Sequence, residues 1–292
     1  MRNGRRADIL NVMEKLHKTA ISATDIASQF WCEKQMELNC MHGSRITRQI
    51  NVGRKMHEEL EHEANVPLML QPRSYADSMY KKLYSSMLAV ESIKERGRAR
   101  EIAVYGSISG YRLVGKIDQL DFRDGMAHIT EDKTRSVDTL PSEQQLLTQK
   151  VQVMIYRRMF DDIIGGLYTG GNFNASYGIS KMEVTPEFAR QLEAEGVDQE
   201  LRKIMKVSDR LFSGIKALGR VGDTLRIRYL NQQTGREMKL YDFQYDAKET
   251  DGYIGFAMKY WSGAREALPV PAEEKWKCSF CAFFKKECTT WS

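Results

Sequence analysis

Tyr111-Arg-Leu-Val-Gly115-Lys-Ile-Asp118-Gln-Leu-Asp-Phe122, Arg123-Asp-Gly125 and Met126-Ala-His-Ile-Thr-Glu131-Asp-Lys133-Thr134 run on without interruption, and their reading decides the fold. The outer segments carry strand-forming residues and the middle one is a turn. Residues 111–122 and 126–134 are therefore predicted as antiparallel neighbours joined by a hairpin loop at 123–125. Side chains alternate along a strand, so Glu131 and Lys133 share one face and Asp132 takes the other. Pairing symmetric about Asp124 brings Asp118 near residue 130, within reach of Glu131. Two converging carboxylates suit a hard divalent cation such as Mg²⁺ or Mn²⁺. A lysine two residues further on positions an attacking water or stabilises charge developing on a phosphate.

Upstream, residues 101–108 read as another strand and Ser109-Gly110 as a turn. Ser22 is a helix cap with Asp25 in the first turn, and that helix is expected to run through Trp31 and Cys32 towards Leu38. Further helices are predicted at 53–64, placing His57 and Glu61 one turn apart, and at 74–96. Downstream, a helix is expected from Ser142 to Ile164. A short strand at 176–184 follows, then a long helical stretch from Pro186 to Leu218. A hairpin pairs 224–231 with 237–245, and a helix at 250–266 precedes the Pro269/Pro271 linker and a cysteine-rich tail. Strands and helices mixed around one sheet make the class α/β. Four regions follow: an N-terminal helical region at 1–64, a core at 65–184, a helical insertion with hairpin at 185–268, and a C-terminal segment at 269–292.

On the helix at 142–164, Gln145, Gln149, Gln152 and Tyr156 form one polar stripe, while Leu147, Val151, Met154 and Ile155 form the apolar stripe that packs on the sheet. At this point a resemblance can be stated. Gly115-x-x-Asp118, Glu131-x-Lys133 and Gln152-x-x-x-Tyr156, in that order, resemble the RecB-type branch of the PD-(D/E)XK nucleases. The resemblance implies a restriction-endonuclease-like core, a mixed central sheet flanked by helices, with Asp118, Glu131, Lys133, Gln152 and Tyr156 as catalytic residues. Gly53-Arg-Lys-Met-His57 resembles that branch's early helix pattern. It implies His57 as a further metal ligand beside Asp118, Glu131 and the Asp132 backbone carbonyl.

The five cysteines lie at the two ends: Cys32 and Cys40, then Cys278, Cys281 and Cys288. Cys278-x-x-Cys281-x₆-Cys288 supplies three ligands of a four-ligand site, and no histidine follows His128, so a fourth must come from Cys32 or Cys40. Isolated cysteines are usually small buried hydrophobes, the reading given to Cys40. Trp31-Cys32-Glu33 with Trp276-Lys-Cys278-x-x-Cys281-x₆-Cys288 resembles the exonuclease V family and the related CRISPR-associated iron–sulfur nucleases. The resemblance implies a [4Fe–4S] cluster on Cys32, Cys278, Cys281 and Cys288, joining the two ends of the chain. Thiolates suit zinc too, so spacing leaves the metal open. Tying residue 32 to the tail removes unfolded-chain entropy, on the order of 4–5 kcal/mol for a disulfide closing so long a loop, so the cluster is read as a clamp.

The net charge of +5 favours a polyanionic partner without establishing one. The family implies a metal-dependent exonuclease degrading single-stranded DNA from an end, 5′ to 3′. Gln149, Arg157, Arg158 and the basic segment 93–100 are candidates to track the strand. A zinc-holding, non-catalytic nucleic-acid-binding module and a CRISPR adaptation nuclease that trims DNA before integration are the competing readings. No run of 18 or more apolar residues exists, which excludes a helical membrane span. The start of the chain lacks a secretory pattern and, with reduced thiols, predicts an intracellular location. Arg2, Arg5 and Arg6 are expected to open a helical arm.

Overall fold

The structure, a computed structural model, describes residues 12–65 and 67–291. Most of the predicted basic arm, with Arg2, Arg5 and Arg6, lies outside the described residues. Capping chemistry sets the first third of the chain. After α1 (Val12–Lys15) and the two-residue strand β1 (Ile21–Ser22), Ser22 caps α2 (Ala23–His42). Its Oγ accepts from the Asp25 N–H, and the Asp25 carboxylate accepts from the Ser22 N–H, at 3.0 and 2.8 Å. Thr47 caps α3 (Arg48–Ala64), and Ser74 repeats the reciprocal cap on α4 (Tyr75–Arg96) with Asp77. The helix of α2 is broken at Cys32, whose backbone is extended (φ −165°, ψ 111°), a break the sequence reading did not foresee.

Two tight turns then fix the register of β2 (Arg98–Ile108), β3 (Tyr111–Arg123) and β4 (Met126–Arg135). Ser109 and Gly110 have φ of 51° and 83°, and Asp124 and Gly125 have 53° and 72°. Two left-handed central residues are the signature of the two-residue hairpin turn whose twist matches the flanking strands. Ile108 is accordingly paired with Tyr111, and Arg123 with Met126, so the second loop is one residue tighter than predicted.

The remaining elements are α5 (Glu143–Ile164), α6 (Gly170–Tyr177), α7 (Pro186–Ala194), α8 (Ile204–Ala217), β5 (Thr224–Asn231), β6 (Glu237–Gln244) and α9 (Ala247–Trp261), followed by a 3₁₀ segment at Ala272–Phe280. All six strands share one mixed sheet. β3 is antiparallel to β2 and β4, β5 runs parallel to β4, and β6 returns antiparallel to β5. β5 and β6 therefore extend the central sheet, and the core reaches beyond the 65–184 boundaries drawn from sequence. Val151, Ile155 and Met159 of α5, Leu83 and Met87 of α4, and Leu211 and Ile215 of α8 are buried in one core with Ile102 and Val104.

Two predicted elements are corrected. Residues 176–184 form no strand. Thr169 caps α6 in a box with Asn172, and Phe173 and Tyr177, one helical turn apart, stack against Tyr105. The stretch from Pro186 to Leu218 is not one helix: Gly196, at φ 70°, ends the first part, and α8 starts at Ile204.

Candidate functional site

The two hairpins place three carboxylates in a row. β3–β4 pairing runs from Arg123↔Met126 to Gln119↔Thr130 and then stops, so the strands part where Asp118 and Glu131 come next. Asp118 Oδ2 accepts instead from the Asp132 N–H at 2.8 Å. On the other side of β3 the ladder skips one position between Arg100↔Gln119 and Ile102↔Ile117. The skipped residue is Glu101, whose φ of 57° is a strained, left-handed conformation in mid-strand. Glu101, Asp118 and Glu131 thus stand abreast on β2, β3 and β4, with 8%, 7% and 2% exposure.

His57, on α3, closes the cluster. Its Nδ1 lies 3.3 Å from Glu101 Oε1 and 3.7 Å from Asp118 Oδ1. One ligand atom from each of His57, Glu101 and Asp118 falls within 4.8 Å of the others. Burial and then the Glu131 charge push the Asp118 carboxyl well above the ordinary carboxylate range. Burial pulls His57 down, but the bond to Glu101 and the Asp118 charge outweigh it and hold the imidazole above its usual value. Burial raises Glu101, yet His57 and Lys116, whose ammonium is paired with Glu101 Oε2, bring it below its usual value. Oε2 of Glu131 is buried with no hydrogen-bond partner. A crowd of buried carboxylates with an orphaned oxygen and one imidazole is the donor set of a hard divalent cation.

Across the row, α5 supplies the second wall. Lys133 Nζ donates to Glu131 Oε1 at 2.6 Å and to Gln152 Oε1 at 3.1 Å. The Gln152 amide donates to Glu131 Oε1 and to the Tyr156 hydroxyl oxygen, at 2.8 and 2.7 Å. Burial lowers the Lys133 pKa, but Glu131 and Asp118 outweigh it and hold the group above its ordinary value, so it stays an ammonium. Gly115 lets this wall approach: a Cβ there would lie 2.5 Å from Cε1 of Tyr156. Gln145, predicted on the same stripe, is the reciprocal partner of the Ser142 cap, and Gln149 accepts from the Tyr229 hydroxyl.

The candidate strand-tracking arginines are otherwise engaged. Arg157, 8% exposed, bonds Asp161, Asp223 and the Gly222 carbonyl and lies 4.7 Å over the Tyr245 ring. Arg158 is paired with Asp162 and Asp251. Both charges are matched by carboxylates. In the segment 93–100, Arg100 is buried on Asp132. Cys32, Cys278, Cys281 and Cys288 line a single pocket, with Trp31, Val270 and Lys277 among its walls, and Cys40 is not in it. Burial raises the Cys32 and Cys278 thiols.

Known proteins match along most of the chain. A family model described as exonuclease V, a 5′ deoxyribonuclease, matches residues 10–131, 123–217 and 197–292. The chain belongs to the exonuclease V family. Exonuclease V of Danio rerio is 25% identical over 280 residues, which span 93% of this chain and 70% of that protein. The mitochondrial exonuclease V of Candida dubliniensis is 35% identical over 66 residues, 23% of this chain and 10% of its own length. Among solved structures, the crystal structure of SSO0001 aligns over 92% of this chain and 90% of that one, with a TM-score of 0.39 and 12% identity.

Membership in the exonuclease V family supports a deoxyribonuclease, hence DNA as the substrate class. No helix among the described residues is long and apolar enough to cross a membrane. Of the residues singled out from sequence, His57, Asp118, Glu131, Lys133, Gln152 and Tyr156 meet in one place. Glu101 was missed. Its signal was present: pairing symmetric about Ser109-Gly110 sets Glu101 opposite Asp118.

Proposed function

We propose that this chain is a metal-dependent exonuclease with a PD-(D/E)XK core, which hydrolyses single-stranded DNA from its 5′ end and carries a structural [4Fe–4S] cluster. The observation that carries the reading is the row Glu101, Asp118 and Glu131 on adjacent strands, met by His57 on one side and by Lys133 on the other. His57, Glu101 and Asp118 would hold Mg²⁺ or Mn²⁺, with the unpartnered Glu131 Oε2 and the Asp132 backbone carbonyl as further ligands. Such an ion, when bound, polarises the phosphate and makes a water acidic enough to yield hydroxide near neutral pH. Lys133, kept protonated by Glu131 and Asp118, acts as a donor, orienting the water and stabilising negative charge on the phosphate. Gln152 and Tyr156 fix Glu131 from α5, so that the carboxylate keeps one oxygen for the site.

A groove lined by Trp31, Gln35, Asn39, Arg135, Gln145 and Gln149 supports the single-stranded substrate. Its aromatic, amide and guanidinium groups suit bases and backbone of an unpaired strand. The four thiols of Cys32, Cys278, Cys281 and Cys288 around one pocket support a thiolate-held centre, a donor set that suits an iron–sulfur cluster and zinc alike.

The test is Glu131→Ala, assayed with Mn²⁺ on single strands labelled at either end. Cleavage should vanish while strand affinity stays within a few-fold, and the wild type should release the 5′ label first. A variant that still cuts would exclude the site. Anaerobically purified protein should be brown with about four irons per chain; colourless protein with one zinc would exclude the cluster.

A further inference from the structure

Behind the carboxylate row the same strands build a site of opposite sign. Beside Glu101, Asp118 and Glu131 in sequence stand Arg100, Gln119 and Asp132, which alternation turns to the other face of the sheet. Arg100 Nη2 lies 2.5 Å from Asp132 Oδ2, and its Nη1 donates to Gln119 Oε1 at 2.6 Å. Arg228, from β5, grips the same Asp132 through Nε at 2.8 Å and Nη2 at 2.7 Å. The side chains of Arg100, Asp132 and Arg228 are 3%, 0% and 19% exposed. Two guanidinium groups therefore share one carboxylate in a nearly dry setting, where an unmatched charge is expensive. Arg100 Nε is buried with no hydrogen-bond partner. Asp121, the next carboxylate along, is engaged by Arg98 at 2.9 Å and by the Gln119 amide at 2.8 Å.

This cluster opens onto a groove of about 580 Å³ lined by Arg96, Arg98, Arg100 and Arg228, with Glu63 and Asp121. Arg96 and Arg98 stand exposed at its rim, and Arg96 donates to the Ala64 carbonyl at 3.1 Å. In the lining itself four guanidinium groups stand against two carboxylates, Glu63 and Asp121, with Asp132 beneath and Glu237 also acting on Arg228. Planar guanidinium forks match the oxygens of a phosphate. We propose that this arginine groove is a phosphate-binding site, distinct from the carboxylate row, whose ligand is a nucleic-acid backbone phosphate or a free 5′-nucleotide.

The test uses the whole chain in EDTA, so that it does not depend on the nuclease reading. Inorganic phosphate, dAMP and a 12-nucleotide single strand are titrated by calorimetry into the wild type, Arg96→Gln/Arg98→Gln, and Arg190→Gln as a distant control. At least one of these probes should bind the wild type, lose ten-fold or more in affinity in the double variant, and be unaffected by Arg190→Gln. Binding of dAMP as tight as the strand identifies a free nucleotide; binding of the strand alone identifies the backbone. If the double variant lacks a cooperative melt, Arg98→Lys replaces it, with a several-fold loss expected. Absence of binding by all three probes, or equal affinity in wild type and variant, overturns the proposal.

Discussion

Asp132→Ala tests how the sheet holds the site together. Asp132 touches nothing in the carboxylate row with its side chain, yet it is fully buried and carries three charge-assisted hydrogen bonds from Arg100 and Arg228. Those arginines hold its carboxyl below the ordinary range against the effect of burial. Removing it leaves two guanidinium groups facing each other in the interior, and breaking a buried pair costs about 3–5 kcal/mol. For a chain of this size that is a drop in Tm of roughly 5–8 °C. The assay is guanidinium chloride unfolding with a parallel thermal melt, in EDTA. Asp132→Asn, which keeps the shape, should lose less. A loss below about 1 kcal/mol for Asp132→Ala would refute the reasoning, because it would mean that water already satisfies the two arginines.

Other residues give predictions of different kinds. Gly115→Ala puts a Cβ 2.5 Å from Tyr156 and 3.1 Å from Val104, so it should cost about 1–3 kcal/mol and lower kcat by displacing Gln152, as a melt with steady-state kinetics would register. Lys116→Gln frees Glu101 from its ammonium partner; Mn²⁺ affinity should rise several-fold while single-strand affinity falls, whereas mere misfolding would weaken both. Asp77 accepts from Thr185 N at 2.8 Å, Thr185 Oγ1 at 3.0 Å and Arg73 N at 3.0 Å. These bonds outweigh burial and hold its carboxyl below the ordinary value of 3.8. A depressed folded pKa means stability that is present above the unfolded value and lost as pH falls through the folded one. The advantage of wild type over Asp77→Asn should thus be constant above about pH 5 and shrink below pH 4 in urea melts.

The hairpins were legible because their turns are local chemistry: Asp124-Gly125 and Ser109-Gly110 dictate left-handed turns, and these dictate which residues stand opposite. The meeting of Asp118 with Glu131 follows from that register, as does the turning away of Asp132. Glu101 was hidden by its place, since it opens the strand predicted at 101–108 directly after the basic segment 93–100, and its position opposite Asp118 emerges only when the partner strand is laid beside it. Arg157 and Arg158 each have one carboxylate partner that the sequence announces, Asp161 and Asp162 one helical turn on, and one that it does not, Asp223 and Asp251 from distant segments. The stretch at 170–184 was least legible: Tyr177 and Ile179 alternate as in a strand, while the rings of Tyr105 and Phe212, which settle Phe173 in a helix, arrive only with tertiary packing.

The central claim is that the carboxylate row is a cation site, and direct Mn²⁺ binding tests it without a substrate. Free Mn²⁺ is followed by electron paramagnetic resonance during titration of the metal-free wild type, Asp118→Asn and Glu101→Gln. The row predicts saturable binding by the wild type, weakened at least ten-fold in each variant while both keep a cooperative melt. Equal Mn²⁺ affinity in all three proteins would contradict it.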